Sequence, residues 1–305
     1  MMADSSDIDR AARDIPAVRD HSRSWRENRY VYPVLSRRSK GLSIGINLQP
    51  NKSCNFRCVY CQVNRREVPT CETVELGTLI RELNAMLDSV VEGRLWRTSQ
   101  FASVPAALRR VNDVAFSGDG EPTAYRKFPA MVQVVADAKA RHRLKDVKIV
   151  VISNASRFHT QTFRRAMPTL LANRGEVWAK LDAGSAERFV RINRTKVPFK
   201  RVLANIEWLA QQMPIVIQSC FFRLDGAGPG EAEMELYIAR LRRVLELGGR
   251  IKCVQVHTIA RPPTEGNVTF LDDESLRGIV TQIRDALGTV SVEAFFGVDV
   301  GPQRP

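Results

Sequence analysis

The chain has 305 residues, 44% of them hydrophobic, with 46 Lys and Arg against 33 Asp and Glu, a net charge of +13. That is enough apolar material for one large α/β domain or two small ones, of which the single domain is expected, and no apolar run reaches bilayer-spanning length. Six cysteines in so long a chain exclude a disulfide scaffold and predict reduced thiols in the cytoplasm, in keeping with an N-terminal stretch that has no apolar export signal.

Residues 1–24, dominated by Asp, Ser and Arg, predict a disordered tail, and the folded domain is expected over 25–305. The first apolar strand is expected at Ser43–Leu48. Soon after it comes Cys54-Asn55-Phe56-Arg57-Cys58-Val59-Tyr60-Cys61, a C-x3-C-x2-C triplet. Four-iron clusters normally take four thiolates, so a compact triplet leaves one iron for an outside ligand. A zinc knot completed by Cys71 is the alternative, because zinc–thiolate sites close at four ligands. Zinc sites, however, usually pair two short cysteine hooks, and Cys71 stands alone in a polar segment.

Beyond the triplet, a helix is expected near Val74–Val91. Strands follow at Val111–Phe116, Val147–Ser153, Glu176–Leu181, Pro214–Phe221 and Arg250–Thr258, with an edge strand at Val290–Phe296 after a helix at Glu274–Leu287. Phe199–Ala210 and Glu231–Leu247 carry apolar stripes at helical spacing, Phe199, Val202 and Ile206 in one and Met234, Tyr237 and Leu241 in the other. This alternation predicts a parallel sheet covered by helices.

In such folds functional groups gather where strands end and loops open. Gly118-Asp119-Gly120-Glu121-Pro122 follows the second expected strand, Asn154 ends the third, and Lys180 and Asp182 end the fourth. Gln218 and Cys220 lie late in the fifth, Gln255 and His257 in the sixth. Two-residue spacing sets each pair on one strand face. Plainer readings stand beside these: a rim salt bridge for Lys180 and Asp182, a helix cap near Thr160 for Asn154, a structural role for His257, and core packing for Cys220 and Cys253.

The cysteine triplet with Tyr60 just before its last member, together with Ser117-Gly118-Asp119-Gly120-Glu121-Pro122, resembles the radical S-adenosylmethionine (SAM) enzyme superfamily. Ser36-Arg37-Arg38, Ser43 to Leu48, Cys61-Gln62-Val63, Lys180-Leu181-Asp182-Ala183-Gly184 and Val254-Gln255-Val256-His257 leading to Arg261-Pro262-Pro263 are similar to its wyosine-synthase-like branch. The resemblance implies a partial (β/α)6 barrel, a 4Fe-4S cluster and SAM. It implies that Cys54, Cys58 and Cys61 bind three irons while the SAM amino and carboxylate groups take the fourth. A low-potential donor of flavodoxin or ferredoxin type supplies the electron, and SAM is cleaved to methionine and a 5′-deoxyadenosyl radical that abstracts hydrogen from substrate.

By the same resemblance Tyr60, Gly118, Asp119, Gly120, Glu121, Lys180 and Asp182 serve the cofactor, Asn154 is a candidate for the ribose, and the strand face Gln255 shares with His257 adds Gln255 near the adenosyl group. The glycine turn holds the methionine ammonium, Lys180 and Asp182 the carboxylate or ribose, and His257 is the candidate catalytic residue. Asp119 departs from the pattern, standing where many members have a second glycine. Cys71, Cys220 and Cys253 occur singly, so one cluster is expected. No cysteine precedes Cys54, whereas wyosine synthesis proper is associated with a second, N-terminal cluster.

The positive charge is spread over many segments, which fits either solvated helix faces or a polyanionic partner. RNA is accordingly one candidate substrate. A polypeptide is the second, although the chain has no C-terminal cysteine cluster of the kind many peptide-modifying relatives carry. The third reading is a zinc-stabilised RNA-binding protein without catalysis.

Overall fold

Ten strands and seven α-helices are placed by the computed structural model among the residues it describes: Ala17 and residues 25–69, 71–261 and 263–297. The expected tail, apart from Ala17, and Pro262 of the Arg261–Pro263 motif lie outside the described residues. The chain divides into two units, one made of Met1–Cys54, Glu67–Ser153 and His159–Val177, the other of Asn55–Arg66, Asn154–Phe158 and Trp178–Pro305.

In the first unit, β1 (Val31–Ser36) runs antiparallel to β2 (Gly41–Ile46), and β3 (Val111–Phe116) and β4 (Lys148–Ser153) continue in parallel. β5 (Gly175–Lys180) begins in this unit and ends in the second. Every residue of β2 is buried, so this strand reads as an unbroken apolar run rather than an alternating one. The helices are α1 (Leu76–Val91), α2 (Phe128–Arg141) and α3 (Gln161–Ala172). Phe128 joins strand to helices, its ring 5.3 Å from Phe116 and 6.3 Å from Phe163. α1 buries Glu82, whose carboxylate accepts the main-chain N–H groups of Arg29, Tyr30 and Val31 at 2.8 to 3.1 Å. A buried carboxylate needs such donors, and this one fixes the start of β1.

The second unit continues with α4 (Ala186–Asn193), α5 (Phe199–Gln212), β6 (Ile215–Cys220), β7 (Phe222–Leu224), α6 (Glu231–Glu246), β8 (Ile251–His257), β9 (Val268–Phe270), α7 (Asp273–Leu287) and β10 (Ser291–Phe295). β5, β6, β8 and β10 pair in parallel, while β7 and β9 form a separate antiparallel ribbon. The strand order is β1-β2-β3-β4 in the first unit and β5-β6-β8-β10 in the second. Register sorts the faces in this unit. Ala179, Ile217, Val254 and Val292 stand side by side across four strands and form an apolar row. The next residue of each strand, Lys180, Gln218, Gln255 and Glu293, forms a polar row on the opposite face.

Every strand expected from the sequence is present, its ends within two residues of expectation. β1 carries Pro33, which argues against a central strand and is tolerated because β1 is an edge. That strand, the β7–β9 ribbon and the eight-residue α4 are additions to the expected elements.

Candidate active site

The first unit supplies a turn and the entry to the cysteine loop. Gly118, at φ +143°, adopts a backbone conformation that favours glycine, and a Cβ there would stand 2.6 Å from the Asn47 side-chain oxygen. Gly120 is more constrained still: a Cβ would lie 2.0 Å from the carbonyl oxygen of Ser53, the residue before Cys54. At both positions the protein's own atoms leave no room for a side chain. Asp119 instead uses its side chain, Oδ2 accepting from Asn47 Nδ2 at 2.6 Å. Glu121 is buried, and its Oε1 accepts from Thr123 N at 3.1 Å, Thr123 Oγ1 at 2.5 Å and Ser153 Oγ at 2.7 Å. Cys71 also belongs to this unit, its thiol 3.8 Å from the Tyr30 hydroxyl.

The second unit holds the rest of the cysteine loop, largely through side chains. Asn154 Nδ2 donates to Asn55 Oδ1 at 2.9 Å, and Asn55 Nδ2 donates to Ser156 Oγ at 2.8 Å. The cap of α3 is Thr160 itself, accepting from Phe163 N, so Asn154 serves the loop and not that helix. Tyr60 donates to Asp182 Oδ2 at 2.5 Å, while Asp182 Oδ1 accepts the Cys220 N–H at 2.8 Å. Both carboxylate oxygens of Asp182 are thus engaged within the protein. Lys180 Nζ lies 5.0 Å from the centre of the Tyr60 ring, which packs 5.3 Å from Phe222. Desolvation, reinforced by the Asp182 charge, raises the Tyr60 hydroxyl well above its usual pKa and keeps it a donor.

Cys58 receives an N–H from Asn193 Nδ2 at 3.3 Å, and the Arg65 guanidinium lies 3.9 Å from Cys61 Sγ. Burial pushes the Cys58 thiol up to about 12, with the Asn193 bond acting the other way. Cys54, Cys58 and Cys61 are all half-buried, and none of them is in a disulfide. Among the described residues no three Cys, His, Asp or Glu side chains gather closely enough to ring a single ion. A cubane attaches its ligands to different irons and does not require that they do. The donor set, three half-buried thiols with N–H groups directed at two of them, fits a four-iron cluster.

Gln218 Nε2 donates to Gln255 Oε1 at 3.1 Å within the polar row, and both are buried. His257 follows on the same face at the end of β8, in register with Cys220 of β6. Cys220 is buried and Cys253 half-buried. Asn193 and Arg188 are absent from the expected residues. An isolated Asn or Arg on a short charged helix carries no pattern; only the contact with a motif cysteine or the burial of the guanidinium marks them.

A mostly parallel sheet with its cysteine loop directly after β2 and a glycine turn directly after β3 defines a partial-barrel α/β enzyme. Residues 48–236, more than half of the chain, match the Radical SAM superfamily, and the protein belongs to it. Its members use a 4Fe-4S cluster and SAM. The chain is 24% identical over 249 residues to a UPF0026 protein of Helicobacter pylori, covering 80% of this chain and 70% of that one. A radical SAM methyltransferase from Sphaerobacter thermophilus has the same fold, with a TM-score of 0.59 and 13% identity, over 85% of this chain and 68% of the other. TYW1 with a lysine-pyruvate adduct bound matches at a TM-score of 0.52 and 14% identity, over 81% and 74%. Both structural likenesses are likenesses of fold. The fold is the partial barrel of radical SAM enzymes, and the protein is a SAM-cleaving radical enzyme. Among the described residues no helix is long and apolar enough to cross a membrane.

Proposed function

We propose that Cys54, Cys58 and Cys61 hold one 4Fe-4S cluster at which SAM is reductively cleaved, and that the radical so formed abstracts hydrogen from an RNA substrate in the cytoplasm. The observation that carries the reading is the cysteine loop itself: three thiols, with N–H donors on two of them and no fourth cysteine in the motif. When bound, the cluster supplies the single electron that SAM cleavage requires, received from a flavodoxin- or ferredoxin-type donor.

The protein's own residues divide the remaining work, with residues 25–305 acting as one catalytic domain. Gly118, Asp119, Gly120 and Glu121 present the turn to the methionine ammonium, the glycines allowing close approach. Tyr60 fixes the loop's last turn and is itself positioned by Asp182, while Asn154 positions Asn55. Lys180 and Gln255, on either side of Gln218 in the polar row, face the carboxylate and the nucleoside, and His257 at the mouth of β8 donates or accepts a proton beside the substrate.

The phosphate-rich substrate is supported by Arg188 as well as by the +13 charge. Its Nε and Nη2 are buried without hydrogen-bond partners, and desolvation lowers its pKa. The neighbouring Glu233 already accepts from Gly184 N and Ser185 N, which leaves the guanidinium fork for an external anion.

Anaerobic reconstitution with iron and sulfide, followed by SAM and a strong reductant, tests the chemistry. Formation of 5′-deoxyadenosine is expected, and its absence from a fully loaded protein would overturn the reading. RNA binding should fall linearly with salt on a log–log scale. Binding of neutral polypeptides without RNA binding at low salt would replace RNA by a polypeptide substrate.

A further inference from the structure

Helix α4 ends on the cysteine loop. The carbonyl of Ile192 accepts Val59 N at 2.9 Å and that of Asn193 accepts Arg57 N at 3.0 Å, so two main-chain bonds bracket Cys58. Between them the Asn193 side chain, only 2% exposed, directs Nδ2 at Cys58 Sγ. The amide is oriented by chemistry, since its oxygen would face sulfur lone pairs if the group were turned. Asn does not ionise, so the donor persists at every working pH.

A hydrogen bond to a ligating sulfur withdraws electron density that the thiolate would otherwise push onto iron. The reduced form, carrying one more negative charge, gains more from that donor than the oxidised form does. We infer that Asn193 sets the reduction potential of the cluster, holding it more positive than the bare thiolate ligands would. The inference rests on the cluster assignment above and adds to it a residue that touches neither SAM nor substrate. Arg65, its guanidinium 3.9 Å from Cys61 Sγ, is a longer second contact to a motif sulfur.

The test is a potentiometric titration of the reconstituted protein, followed by electron paramagnetic resonance, with iron and sulfide content measured alongside. At a poise near the wild-type midpoint, Asn193→Ala should lower the ratio of reduced to oxidised cluster by about three- to tenfold, the upper end corresponding to about 59 mV for a one-electron couple. Asn193→Asp, nearly isosteric but without the donor, should shift it in the same direction and further. Midpoints equal to wild type in loaded variants would overturn the inference while leaving the cluster reading intact. Failure of both variants to load iron would also overturn it, making Asn193 a purely structural residue. Failure of the wild-type protein itself to form a four-iron cluster would instead sink the cluster assignment.

Discussion

The two loops proposed to carry the chemistry are held by opposite means. The Gly118–Glu121 turn of the first unit depends on the absence of side chains, with Gly118 against Asn47 and Gly120 against the Ser53 carbonyl. The cysteine loop of the second unit depends on side chains, through Asn55 with Asn154, Tyr60 with Asp182, and Cys58 with Asn193. The first arrangement tolerates no added atom. The second tolerates changes of shape but not the loss of a donor or acceptor, because each partner is then left unsatisfied.

Adding one methyl group should therefore have the largest effect. Gly120→Ala places a Cβ 2.0 Å from main-chain oxygen, which cannot swing aside as a side-chain tip can. A loss on the order of 3 kcal/mol is expected, read as a lower urea midpoint of the cluster-free protein. Wild-type stability in that variant would mean that the turn does not sit on Ser53.

Removing an acceptor should cost somewhat less and should be non-additive. Asp182→Ala strands the Tyr60 hydroxyl and the Cys220 N–H, a loss of about 2 kcal/mol, whereas Tyr60→Phe should cost about 1 kcal/mol. Because the two share one bond, the double variant should fall short of the sum. Strict additivity would show that Tyr60 and Asp182 are not partners, and would return Asp182 to direct contact with SAM.

How far the sequence discloses these arrangements follows from distance along the chain. The strands are legible because their apolar runs are local, and the cysteine triplet because its three members fall within eight residues. The purposes of Asn154 and Asp182 are not legible in the same way. Their partners lie 99 and 122 residues earlier, and nothing in local spacing announces that a rim asparagine or aspartate answers to Asn55 or Tyr60. The edge strand β1 is hidden by Pro33 and is tied down by the buried Glu82 of α1, another long-range bond. Asn193 is visible only once α4 has been placed beside the triplet.

A smaller effect sharpens the contrast from within the first unit. Asp113 on β3 accepts from Ser43 Oγ at 2.5 Å, and burial raises its pKa to about 6, with Lys148 drawing it down and Glu176 pushing it up. A carboxyl raised above its unfolded value of about 3.9 stabilises the fold when protonated and loses that contribution as pH rises from about 4 through about 6. Asp113→Asn keeps the acceptor for Ser43 and cannot ionise. It should exceed the wild type in stability above pH 7, the advantage vanishing near pH 4. An advantage independent of pH would assign the gain to packing.

The account turns on which cysteines hold the cluster, and iron and sulfide analysis of single variants, paired with 5′-deoxyadenosine formation, decides it most directly. Cys54→Ala, Cys58→Ala and Cys61→Ala should each abolish both signals, while Cys71→Ala, whose thiol answers to Tyr30, should retain about four irons per chain and wild-type cleavage. Loss of metal on replacing Cys71, or stoichiometric zinc without iron in strictly anaerobic protein, would contradict it.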